Sequence, residues 1–149
     1  MTDPHPQSTA RIAGHPIHPM LVPFPIVCFI GALITDIAYW RTANIQWANF
    51  SAWLLAAGLV MGALAAVAGL IDFLGSRSVR AQPPAWPHLI GNVVVMGLSL
   101  VNVFVHSRDA WTSVVPTGLI LSAVVVAILA VTGWLGGLLV YRHRVGVIP

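Results

Sequence analysis

Four side chains able to bind a metal ion fall into three short pieces of this chain: His15 and His18 in His15-Pro16-Ile17-His18-Pro19, then Asp72, then His88. Imidazole suits Zn, Cu, Fe and Ni, and a carboxylate adds an oxygen donor. One or two of the same histidines could instead be axial ligands of a b-type haem. Asn92, one helical turn beyond His88, is placed to hydrogen-bond a ligand or to hold the imidazole in orientation. The spacing is far less specific than a Cys₂His₂ finger or an HExxH helix, and histidines at a membrane surface also serve as caps or headgroup contacts. Pro16 and Pro19 bias His15 and His18 away from helix and toward polyproline II. There the two side chains would sit on one side, roughly 9 Å apart along the axis.

A second polar set is Asp36, His106, Arg108 and Asp109. A carboxylate within a membrane span is a functional hypothesis by default. Its simpler reading is a hydrogen bond or ion pair with His106, Arg108 or Arg41; facing His106, it could form a proton-accepting pair. No nucleophile elbow, Walker loop, dinucleotide fingerprint or pair of catalytic carboxylates is present; whether the chain is an enzyme stays open at this point, with a non-enzymatic role the favoured reading.

The elements that must position these groups follow from composition. Of 149 residues, 7% are charged and 58% hydrophobic, against about 25% and 45–50% in soluble domains. Too few charges exist to cover a solvated surface, and disordered chains are poorer in hydrophobes. All the basic residues are Arg and all the acids Asp, with no clustered basic stripe, so nucleic-acid binding is set aside. Cys28, the single cysteine, cannot form an internal disulfide and reads as a small apolar residue in a helix.

Residues 1–19 form a polar segment rich in Pro and His, with no apolar run ahead of a cleavage site, so a removable signal peptide is not expected. Residues 20–141 form a transmembrane domain, and 142–149 a short basic tail. The expected spans run from about Met20 to Trp40, Phe50 to Leu74, Trp86 to His106, and Pro116 to Tyr141, each long enough for a hydrocarbon core of about 30 Å. Pro23 and Pro25 fall in first turns, where a missing amide costs least. Trp40, Trp47, Trp86 and Trp111 mark interfaces. The fold class is all-α, a four-helix transmembrane bundle of antiparallel neighbours joined by short loops.

Four spans put both termini on one side. That side carries five arginines (Arg11, Arg77, Arg80, Arg142, Arg144) and the other two (Arg41, Arg108), which places both termini in the cytoplasm of a bacterial-type inner membrane by the positive-inside rule. Helix direction then collects His15, His18, Asp72 and His88 at one surface.

Gly58, Gly62, Ala65, Gly69 and Asp72 share about 80° of arc on the second span. Such a stripe packs helices closely or leaves room for a flat cofactor. His88, Asn92, Ser99, Asn102 and His106 all fall within about 40° of one direction on the third, and this polar stripe is expected to face the glycine stripe. His88 and His106 are about 27 Å apart along the helix, too far to hold one ligand.

The segment Gly14-His15-Pro16-Ile17-His18-Pro19-Met20-Leu21-Val22-Pro23-Phe24-Pro25-Ile26 resembles the opening of domain-of-unknown-function family 2231, whose members are four-span membrane proteins. Gly69-Leu70-Ile71-Asp72-Phe73 and His88-Leu89-Ile90-Gly91-Asn92 resemble its second-span end and third-span start, and the likeness covers roughly residues 14 to 140. Some relatives are fused to Rieske or cytochrome-like modules. The resemblance therefore implies proximity to respiratory or redox membrane proteins, although this sequence contains no such module and no Cys-x-x-Cys-His.

The leading expectation is a metal or haem centre on His15, His18, His88 and Asp72, used in electron transfer or metal handling, in a chain whose partners are the bilayer, redox membrane proteins or further copies of itself. The alternative is a structural or accessory subunit. A transporter along the third-span stripe ranks last, because four spans in one copy leave little room for a pathway.

Overall fold

The computed structural model describes residues 6–107 and 114–147. Two short strands, β1 (Arg11–Ile12) and β2 (His15–Pro16), pair as an antiparallel hairpin with Ile12 opposite His15. Ala13 and Gly14 form its turn with φ of 49° and 83°, the left-handed sense that two-residue hairpins require. The helices follow: α1 (Ile17–Leu21), α2 (Pro23–Thr42), α3 (Ile45–Gly75), α4 (Arg77–Arg80), α5 (Ala85–His106) and α6 (Leu119–Gly137). The segment Val114–Gly118 leads into α6 through a kink at Val115, whose φ of −118° and ψ of 125° are extended, and one π-helical turn at Leu138–Arg142 follows α6.

Four segments, Ile17–Thr42, Ile45–Gly75, Ala85–His106 and Val114–Arg142, are long and apolar enough to cross a bilayer. The second span starts earlier than expected because Asn44 caps it: its side chain accepts from the Gln46 amide at 3.0 Å. Ala43, at φ 53°, ends α2 and returns its amide to the Tyr39 carbonyl at 2.8 Å. The first helical segment also starts early, and this corrects the reading of His18. His18 lies inside α1, whereas His15 is in a strand. Pro19 does not exclude helix there, because amides of a first turn have no intrahelical acceptor to lose.

Sequence neighbours α2 and α3 pack together, as do α5 and α6, and contacts of α3 with α5 and of α2 with α6 close the bundle. Phe29, Ala32, Leu55, Val95, Val125 and Leu129 fill its centre. Tyr39, Ala48 and Val114 make a smaller cluster toward one end. Large apolar side chains also point outward all round, among them Val27, Trp53, Val93, Phe104 and Trp134. Outward faces of this kind belong in lipid, and the chain is a multi-pass membrane protein. The Gly146 amide donates to the Pro6 carbonyl at 2.9 Å, so the described parts of both ends meet at one end of the bundle.

Candidate functional site

Asp72 is buried near the end of α3, and its acceptors are already engaged. Oδ1 receives the amides of Thr9 and Ala10, each at 2.6 Å, and the Ser8 hydroxyl lies 2.8 and 2.9 Å from the two carboxylate oxygens. The carboxylate thus pins the N-terminal segment across the end of α3. Ser8, Thr9 and Ala10 give no sign of this in the sequence, because one hydroxyl and two backbone amides carry no pattern.

His18 and His88 do come together. Their ring centroids are 6.1 Å apart with planes at 89°. His18 Nδ1–H donates to the Ala65 carbonyl on α3 at 2.7 Å, and His88 Nδ1–H donates to the Thr132 carbonyl on α6 at 2.9 Å. A carbonyl can only accept, so both rings carry a proton on Nδ1. The rings are also clamped sterically. A Cβ added at Gly69 would meet His18 Nδ1 at 2.8 Å, and one at Gly136 would meet His88 Cε1 at 3.0 Å.

Asn92 donates to the His88 carbonyl at 2.7 Å, and its Nδ2 stands 3.5 and 3.4 Å from the two ring nitrogens. That near-equal spacing places the amide against the ring instead of on one lone pair.

His15 does not join them: it is exposed, and its Nδ1 faces the Ala13 carbonyl at 3.1 Å. Among the described residues no three His, Cys or Asp side chains gather into a metal-holding group. The expected four-ligand site is therefore not formed, and what the fold assembles is a pair of histidines.

The two stripes are also arranged differently from expectation. Cβ atoms added at Gly58 and Gly62 would strike Phe29 at 2.7 Å and Met96 Sδ at 2.7 Å. The stripe is thus filled by side chains of α2, α5 and α1 and leaves no slot for a flat cofactor. The polar stripe of α5 turns mainly toward α2 and α6: His88 meets Thr132, and Asn102 Nδ2 donates to the Ser122 hydroxyl at 2.8 Å. Sequence reasoning misses Ser122 and Thr132, yet a signal exists, since Ser122, Val125, Leu129 and Thr132 form one buried face of α6 at helical spacing.

At the other end of the bundle, Asp36 and His106 are in contact, with Nε2 to Oδ1 at 2.9 Å. The Ser122 hydroxyl donates to Asp36 Oδ2 at 2.6 Å, and His106 Nδ1 donates to the Asn102 carbonyl at 2.9 Å. Ser122 and His106 share one carboxylate but are not bonded to each other, so this is not a nucleophilic triad, in which the base nitrogen must take the hydroxyl proton. Arg108 and Asp109, and with them Trp111, lie outside the described residues.

A hairpin-led, four-span bundle with paired histidines at one end is the class these features define. A family model described as predicted membrane protein (DUF2231) matches residues 14–149, and the chain belongs to that family. No curated protein and no solved structure matches it.

Proposed function

We propose that His18 and His88 hold a transition-metal centre at one surface of the bundle, and that the protein works in electron transfer or metal handling. The observation that carries this reading is the pair itself: two imidazoles, 6.1 Å apart, each with Nδ1 spent on a backbone carbonyl. Metal-binding histidines characteristically donate their other N–H in this way, which fixes the tautomer and orients the ligand nitrogen. A metal–imidazole bond of about 2.0–2.1 Å puts a ring centroid roughly 3 Å from the ion, so two rings across one ion stand about 6 Å apart.

Free ion and haem iron share this chemistry. Bound there, either would supply one-electron redox chemistry or a Lewis acid. The filled glycine stripe favours the free ion. Two protein donors leave coordination positions for water or for a donor from a redox partner or a second copy, which is where an association with respiratory membrane proteins would act.

The test uses the purified full chain in detergent. Stoichiometric metal by elemental analysis supports the free ion, and a Soret band supports haem. Either must vanish in His18→Ala and His88→Ala and persist in His15→Ala. A colourless, metal-free protein that stays so after incubation with Cu, Zn, Fe and Ni salts or haem would overturn the reading. The accessory-subunit alternative draws on Asp72, whose bonds to Ser8, Thr9 and Ala10 are purely structural.

A further inference from the structure

The Asp36–His106 contact lies in a fully enclosed network at the end of the bundle away from His18 and His88. Both side chains have no solvent-accessible surface, and Asn102 and Ser122 beside them are buried as well. The protons can be counted. The Asn102 carbonyl accepts from His106 Nδ1, so Nδ1 carries hydrogen. The Nε2–Oδ1 contact then requires one further proton between them. Asn102 Nδ2–H donates to Ser122 Oγ, which leaves the Ser122 proton for Asp36 Oδ2.

The 2.9 Å separation between Nε2 and Oδ1 is a full hydrogen bond, at the upper end of the charge-assisted range of about 2.7–2.9 Å and at the usual N–H···O distance of about 2.9–3.0 Å, so one proton is shared between them. Asp36 accepting from both His106 and Ser122 is the pattern of an ionised carboxylate. The pair is neutral overall, which is what makes two ionised groups tolerable inside a membrane.

Two more atoms point to a ligand. Ser99 Oγ and Asn102 Oδ1 are buried and have no hydrogen-bond partner among the described residues. They lie three residues apart on α5, neighbours on one helix face, and they are complementary, one able to donate and the other only to accept. Buried polar atoms of this kind are normally satisfied by ordered water.

We propose that Asp36, His106, Ser122, Asn102 and Ser99 form a buried proton site, with one proton held between His106 Nε2 and Asp36 Oδ1 and one water bridging Ser99 Oγ to Asn102 Oδ1. Transfer of the Nε2 proton to Oδ1 converts the ion pair into a neutral imidazole and a carboxylic acid without net charge. Transfer to water leaves a carboxylate and a neutral imidazole, a site of charge −1, and the departing proton as hydronium. The groups facing the pair are the Ser122 hydroxyl and Asn102 amide, with the Thr35 and Ser51 hydroxyls and the Tyr39 phenol on neighbouring turns; Arg108 and Asp109 follow in sequence outside the described residues.

The experiment is solid-state NMR on the full chain in lipid bilayers at pH 7, with ¹⁵N-labelled His and Asn. We expect both His106 nitrogens to be protonated, one of them to become unprotonated in Asp36→Asn, and rapid magnetisation transfer from water to the Asn102 side chain. Ser122→Ala, a milder change, should keep the His106 signals if Asp36→Asn fails to fold. An unprotonated ring nitrogen on His106 in the unaltered protein, or an Asn102 side chain that receives nothing from water, would overturn the proposal.

Discussion

His18 rests on Gly69: its Nδ1 lies 2.8 Å from where a Cβ would stand at that position, while the same nitrogen donates to the Ala65 carbonyl one turn earlier on α3. The glycine and the carbonyl therefore hold the ring from below and from the side. Glycine is needed there because the ring cannot retreat without giving up its hydrogen bond.

That relationship yields a direct prediction. Gly69→Val should force the His18 ring off Ala65 and cost about 1–3 kcal/mol as an overpacking substitution. Thermal unfolding in detergent measures the cost. If the two-histidine site is correct, metal retention should fall in parallel, while Gly97→Ala, where a Cβ meets nothing within 4 Å, should leave metal binding unchanged.

Asp72 separates a structural anchor from a ligand. Asp72→Ala strips the Ser8 hydroxyl and the Thr9 and Ala10 amides of their acceptor, a loss of roughly 1–3 kcal/mol for buried donors. The N-terminal segment should then become a protease target, visible as faster clipping near Thr9 by limited proteolysis. If the two-histidine site is correct, its metal should be retained, whereas a ligand role for Asp72 predicts weaker retention.

Much of the scaffold is readable in the sequence because lipid imposes a strong constraint: backbone groups must be satisfied within each span, so apolar length reports helices directly. The inward position of Asp36 and His106 follows from the cost of polar groups in hydrocarbon. Their partner Ser122 is harder to see, because a lone serine among valines and leucines reads as neutral until its spacing to Val125, Leu129 and Thr132 is followed. The His15, His18, Asp72 and His88 set is legible only as co-location at one surface. What divides it is local backbone chemistry: the Ala13-Gly14 turn carries His15 into a hairpin, α1 turns His18 inward, and backbone amides from Thr9 and Ala10 occupy Asp72. None of these competitors leaves a side-chain signature.

The hydroxyls of Thr35 and Ser51, 2.7 Å apart and buried between α2 and α3, offer a test of how much polar contacts hold this bundle together. Thr35→Val and Ser51→Ala, alone and combined, form a double-mutant cycle. We expect a coupling near ~0.6 kcal/mol, the average for hydrogen bonds between membrane helices. Each hydroxyl also bonds a carbonyl of its own helix, Thr35 to Gly31 and Ser51 to Trp47, so neither is orphaned when the other is removed. Reversible unfolding in mixed micelles checks this value.

Orientation across the membrane is a prediction from charge placement. The Pro6–Gly146 contact sets both described ends at one end of the bundle, and the order of the four spans predicts five arginines on that side against two, Arg41 and Arg108, on the other, which by the positive-inside rule predicts that this end faces the cytoplasm. The measurement needs one engineered thiol. Cys28→Ser removes the native cysteine, whose Cβ lies 3.1 Å from where a Cβ would stand at Gly58, and Val147→Cys places a thiol on the tail. In intact bacterial cells a membrane-impermeant maleimide should leave that thiol unlabelled, and in inverted vesicles it should label it. The opposite pattern would place His18 and His88 on the outer surface. A metal centre there would exchange with the outside of the cell instead of the cytoplasm, so this labelling decides which compartment any redox partner of the site must occupy.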